Sequence, residues 1–121
     1  MQTFKKNERI TGEKRIQTLF SDGQSFVAYP LRVIFLKMTE ITDMPPISVL
    51  ISVPKKRIKS AVSRNRVKRL IRETYRLNKH CVAPTDGRLD VAFIYLKDEL
   101  SDYATIEKGI RKALNTLSNS L

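Results

Sequence analysis

The chain has 121 residues, which bounds it to a single domain (1–121) able to bury a core of useful size. Its 23 lysines and arginines outnumber 12 aspartates and glutamates, for a formal net charge of +11, and 41% of residues are hydrophobic. Self-repulsion makes that excess a cost to an isolated domain, so it points to a polyanionic partner: RNA, DNA or an anionic membrane surface. The membrane is disfavoured, because no stretch approaches the ~20 apolar residues that a span requires, and MQTFKKNERI lacks the apolar centre of a secretory signal. Cys81 is the single cysteine, which excludes an intrachain disulfide and suits a cytoplasmic location.

In chain order, residues 1–9 form a basic segment, with Lys5, Lys6 and Arg9, expected to order only on RNA. Thr11 to Asp22 reads as a helix capped by Thr11, with Ile16, Leu19 and Phe20 on one face and Gly23 at a left-handed C′ position. Gln24 to Lys37 reads as extended and open to a break at Pro30. Within it Leu31, Val33 and Phe35 share one face, and Arg32, Ile34 and Leu36 the other. Met38 to Pro46 reads as a loop. Ile47 to Val53 reads as a strand whose apolar face holds Ile47, Val49, Ile51 and Val53, and whose mixed face holds Ser48, Leu50 and Ser52.

A long helix is predicted from about Ala61 to Asn78 or Lys79, then a turn at Pro84–Gly87 and a buried strand over Leu89–Leu96. Ser101 or Asp102 opens a last helix with the stripe Tyr103, Ile106, Ile110, Ala113, Leu114 and Leu117. The element order is α-β-β(-β)-α-β-α, an α+β single-domain sandwich.

Charge concentrates in Lys55–Arg76, where Glu73 is the only acid. On a helical wheel Val67, Leu70, Ile71, Thr74 and Asn78 form a core face against the sheet, with Tyr75 at its border. Arg64, Asn65, Lys68, Arg69, Arg72, Arg76 and Lys79 fill a separate arc, and Arg66 and Glu73 lie on the remaining side. Arg64, Lys68, Arg72 and Arg76 recur every four residues, a column of like charges that repel by roughly 0.2–0.5 kcal/mol a pair. A phosphate backbone reverses the sign of that term, and arginine's planar fork suits phosphate and stacked bases. The bland reading is a solvated face; the near-single sign of the run argues against it. A major-groove helix would share the charge, but this one is committed between strands rather than free, which argues against DNA.

Arg64-Asn65-Arg66-Val67-Lys68-Arg69-Leu70-Ile71-Arg72-Glu73 resembles the RNR signature of the bacterial ribonuclease P protein family. Ile51-Ser52-Val53-Pro54-Lys55-Lys56, Phe4 to Ile10, the trio Phe20, Gly23 and Ser25, and Asp90 to Ile94 resemble its other blocks, in order. The resemblance implies a ribosomal protein S5 domain 2-like fold, with a mixed sheet and a left-handed βαβ crossover through the RNR helix, a hand rare among such crossovers.

It also implies a protein subunit that performs no bond chemistry. Catalysis would belong to the RNA, which would hold the Mg2+, with a 1:1 complex of monomer and RNA as the expected assembly. The catalytic RNA would meet Arg64, Asn65, Arg66, Lys68, Arg69, Arg72 and Arg76, with Lys5, Lys6 and Arg9 adding charge. A cleft for the single-stranded 5′ leader of precursor tRNA would use Phe20, Phe35, Ser52, Lys55 and Lys56. Single strands are held by aromatic platforms in basic grooves, although pattern alone favours a core role for both phenylalanines. Two positions depart from the family: Ile16 stands where an aromatic is common, and Pro54 where a small residue is usual.

The residues offer no protein active site. His80 and Cys81 are helical neighbours pointing about 100° apart, no His/Cys cluster has metal-ligand spacing, and Asp86, Asp90, Asp98 and Asp102 are scattered. Two other functions stay open: a structural RNA-binding protein, such as a small ribosomal protein or RNA chaperone, and a self-contained nuclease.

Overall fold

The structure is a computed structural model and describes residues 13–38, 47–79 and 88–120. Helix α1 (Glu13–Asp22) leads into hairpin β1 (Gln24–Ala28) and β2 (Leu31–Met38), then β3 (Ile47–Ser52), helix α2 (Ala61–Asn78), β4 (Arg88–Tyr95) and helix α3 (Tyr103–Asn119). The Thr11 cap, Lys5, Lys6 and Arg9, the loop over 39–46, His80, Cys81 and the Pro84–Gly87 turn lie outside the described residues.

The break expected at Pro30 is the hairpin turn: Tyr29 and Pro30 connect the paired residues Ala28 and Leu31. The sheet runs β1-β2-β4-β3. β1–β2 and β2–β4 are antiparallel, and β3–β4 is parallel, with α2 carrying the chain between them. The fold is thus one α+β domain with a mixed sheet.

Alternation along each strand sends residues to two differently covered faces. One face meets α2 and α3. Leu31, Val33, Phe35, Val49, Leu89, Val91, Phe93 and Tyr95 join Val67, Ile71 and Tyr75 of α2 and Ile106, Ile110, Leu114 and Leu117 of α3 in the main core. The other face meets only α1, through a small cluster of Leu19, Ile34 and Ala92, flanked by Ile16, Leu36, Leu50 and Ile94. Ile16, aliphatic where the family favours an aromatic, therefore packs α1 on the sheet.

Several expectations are corrected. Tyr75 is fully buried, its ring centroid 5.8 Å from that of Phe93, whereas Leu70 is only partly buried, so the buried arc of α2 is rotated toward Tyr75. α2 packs on the sheet as expected, and on α3 as well. Tyr103 is largely exposed at the start of α3; the buried stripe begins at Ile106 and includes Gly109, whose added Cβ would sit 2.9 Å from Pro30 Cδ. Ser48 faces the α1 side yet is buried.

Gly23 does not adopt the expected left-handed backbone. A Cβ there would lie 2.4 Å from the Leu19 carbonyl oxygen and 2.9 Å from Ile34 Cγ2, so glycine is required by space between helix and strand.

An ion pair joins the layers on the α1 side. Arg15 of α1 donates to both carboxylate oxygens of Asp90 on β4, at 3.1 Å from Nε and 2.7 Å from Nη2. Asp90 is fully buried, so the two-pronged contact satisfies a charge that water cannot reach.

Candidate nucleic-acid interface

Three elements build the interface: the N-terminal part of α2, the segment Val53–Ser60 that feeds it, and the part of the sheet face left open by α1.

Ser60 caps α2, its hydroxyl accepting from the Ser63 amide at 3.3 Å and its carbonyl accepting from the Arg64 amide at 2.9 Å. The first turn contains no acid, so the positive pole of the helix stands beside Lys59, Arg64 and Arg66. Cations near a helix N-terminus are unfavourable by about 0.3–1 kcal/mol each, and an anion there is favoured for the same reason.

The wheel's basic arc divides into two groups. Asn65, Arg66 and Arg69 are exposed, whereas Arg64, Lys68, Arg72 and Arg76 are half-buried. Arg64 turns back on the preceding segment, its Nη1 donating to the carbonyls of Ile58 at 3.1 Å and Lys59 at 2.8 Å. Arg72 Nε is buried with no hydrogen-bond partner among the described residues. Arg76 donates to Glu73 from Nε at 3.2 Å and Nη2 at 2.5 Å. That hydrogen bond holds the Glu73 carboxyl below its ordinary range and raises Arg76, so the pair stays ionised at neutral pH. The column of four like charges is consequently interrupted at both ends.

Glu73 thus competes with any phosphate for the Arg76 fork. Glu73→Gln is expected to raise RNA affinity several-fold at low salt and to steepen the log–log salt dependence by about 0.7–0.9. A fluorescence titration across potassium chloride concentrations reads both quantities.

On the α1 side of the sheet the strand register places Val27, Arg32, Ile94 and Ser52 in one row across β1, β2, β4 and β3. α1 packs through Leu19 on the neighbouring Ile34 and Ala92, and of this row only Ile94 lies against that cluster. Val27 and Arg32 are exposed and Ile94 and Ser52 are partly so. Phe20, 45% exposed, follows Ile16 by one turn along α1. Lys55 and Lys56 are exposed just past the end of β3.

Phe35 does not belong to this cleft. It is 8% exposed and packs edge-on against Phe26, ring centroids 5.9 Å apart, in the main core on the opposite face of the sheet. Phe35 points with Leu31 and Val33, whereas Arg32 and Ile34 point to the α1 side. Arg32, Val27 and Ile94 were not singled out from sequence. The period-two alternation that groups Arg32 with Ile34 and Leu36 was the available signal, but it does not say which face two helices cover.

Among the described residues no group of three His, Cys, Asp or Glu side chains could hold a metal ion. Three acids are ion-paired: Asp90 with Arg15, Glu73 with Arg76 and Asp98 with Arg57. Among the described residues no helix is long and apolar enough to cross a membrane.

Comparison with known proteins identifies the family. The Ribonuclease P family model matches residues 4–118. The ribonuclease P protein component of Porphyromonas gingivalis is 41% identical over 120 residues, spanning 96% of this chain and 87% of that protein. The Staphylococcus aureus RNase P protein structure superposes with a TM-score of 0.73 at 26% identity, covering 91% of this chain and 94% of the other. The Thermotoga maritima RNase P protein gives a TM-score of 0.72 at 26% identity, covering 89% and 96%. The family model and the relatives, matched over nearly the whole chain, assign it to the ribonuclease P protein family, the protein components of the endoribonuclease that processes tRNA.

Proposed function

We propose that the chain binds the ribonuclease P RNA through the exposed side of α2 and guides the single-stranded 5′ leader of precursor tRNA along the open row of the sheet. The observation that carries this reading is the row Val27–Arg32–Ile94–Ser52 on the α1 side of the sheet, with Phe20 exposed on α1 and Lys55 and Lys56 exposed just past the end of β3. It combines an apolar floor, one aromatic platform and cations, the elements that hold a single strand with little regard to base identity. At ~4.8 Å between strands, the row spans about three strand intervals and accommodates a few nucleotides.

Asn65, Arg66 and Arg69 face solvent and are the direct phosphate contacts of α2 in this reading, with Lys68 and Arg72 at its border. Lys5, Lys6 and Arg9 would extend the basic surface. Mg2+ is assigned mainly to RNA phosphates, since the described residues supply no acidic donor set for it. The assembly is one protein monomer on one RNA, acting in the cytoplasm.

Phe20→Ala tests the leader placement. Loss of one stacked base costs roughly 1–3 kcal/mol, so affinity for precursor tRNA should fall about fivefold or more, while affinity for mature tRNA, which has no leader, should not change. Equal losses for both substrates would remove Phe20 from the leader path.

A further inference from the structure

We propose that Arg64 is a positioning residue: its guanidinium holds the segment Lys55–Lys59 in the shape that presents Lys55 and Lys56 to the RNA, instead of gripping a phosphate itself. This rests on the leader placement proposed above.

The segment is dense in like charge, with Lys55, Lys56, Arg57 and Lys59 inside five residues. Left to itself, such a stretch would spread and sample many shapes. Instead it is tied at several points. The amides of Arg57 and Ile58 donate to the Pro54 carbonyl at 3.0 and 3.2 Å, closing a turn. The Ile58 side chain is buried in the main core. Arg57 pairs with Asp98 at 3.1 Å.

Arg64 completes the set from the first turns of α2, its Nη1 reaching the carbonyls of both Ile58 and Lys59. A fifth cation cannot relieve the charge of this segment, so its contribution is geometric: it fixes the last two carbonyls before the Ser60 cap. With both Nη1 hydrogens occupied, the end-on Nη1–Nη2 fork is not available to a phosphate. The segment leaves β3 directly after Ser52, so its shape decides where Lys55 and Lys56 stand relative to the open row.

The test is a double-mutant cycle in the enzyme reconstituted with ribonuclease P RNA, using R64Q, K55Q/K56Q and the combined protein. Affinity for precursor tRNA with and without a leader is measured for each. The expected result is that R64Q weakens leader-bearing substrate several-fold in the parent background, adds no further loss to K55Q/K56Q, and leaves leaderless tRNA unaffected. Equal fold-losses in both backgrounds would overturn the proposal and make Arg64 an independent contact.

If R64Q does not fold, R64K takes its corner. It keeps the charge but ends one bond short of the carbonyls, so positioning predicts a loss for leader-bearing substrate that is absent in the K55Q/K56Q background, whereas a direct phosphate contact predicts the same loss in both. Amide exchange of residues 57–60 in the free protein reads the clamp directly: it should accelerate in R64Q, and unchanged protection would refute the clamp. A K55Q/K56Q protein that binds leader-bearing substrate like the parent would instead refute the leader placement, with the exchange result still deciding the clamp.

Discussion

Replacing Arg66 and Arg69 together with alanine is expected to weaken binding to ribonuclease P RNA by tenfold or more at low salt and to flatten its log–log salt dependence by about 1.4–1.8. The estimate follows from counterion release, about 0.7 per phosphate neutralised on a single strand and 0.9 on a duplex. These two arginines are chosen because they are exposed on α2, whereas Arg64 is turned onto carbonyls and Arg76 onto Glu73. Neither packs in the core, so the variant should unfold at the same urea midpoint as the parent. An unchanged salt slope would move the RNA contact off this face of the helix.

The largest effect on stability is expected at the ion pair between α1 and the sheet. Arg15→Met leaves the fully buried Asp90 carboxylate without a counter-charge. Breaking one side of a buried pair costs about 3–5 kcal/mol, and the partial exposure of Arg15 argues for the lower end. For a domain of ordinary stability, that is a large fraction of the total. Urea denaturation should show the midpoint falling with little change in slope. Adding Asp90→Leu to Arg15→Met should restore much of the loss, since an apolar pair removes the buried charge altogether. A loss below about 1 kcal/mol in Arg15→Met would mean that water reaches Asp90 once the guanidinium is gone.

Much of the fold was legible because the relevant signals are local. The periodicity of α2 and α3, the opening of α3 at Asp102, the apolar run of β4 and the break at Pro30 each depend on residues a few positions apart. The coverage of the two sheet faces is not. Alternation correctly sets Phe35 apart from Arg32, yet only the packing of α2 and α3 together decides that the Phe35 face is the buried one. Family resemblance placed Phe35 in the leader cleft, one position away from the side chains that face α1.

The same limit applies to Arg15 and Asp90, which are 75 positions apart and carry no spacing signal. Gly23 shows a different failure. Its place after a helix suggested a left-handed backbone, but the requirement for glycine comes from the approach of Leu19 and Ile34. The identity of the basic arc was visible in sequence; the intramolecular engagement of Arg64 and Arg76, which changes their expected roles, required side-chain positions.

In the proposed function, the chain supports tRNA 5′ processing by binding both the RNA subunit and the leader. The most direct measurement mixes purified protein with ribonuclease P RNA and a 5′-labelled precursor tRNA at low Mg2+, where the RNA alone is slow. Cleavage at the mature 5′ end is expected to require both components and to drop sharply with Arg66→Ala and Arg69→Ala combined. Tight RNA binding without any stimulation of cleavage would contradict it and identify a structural RNA-binding protein instead.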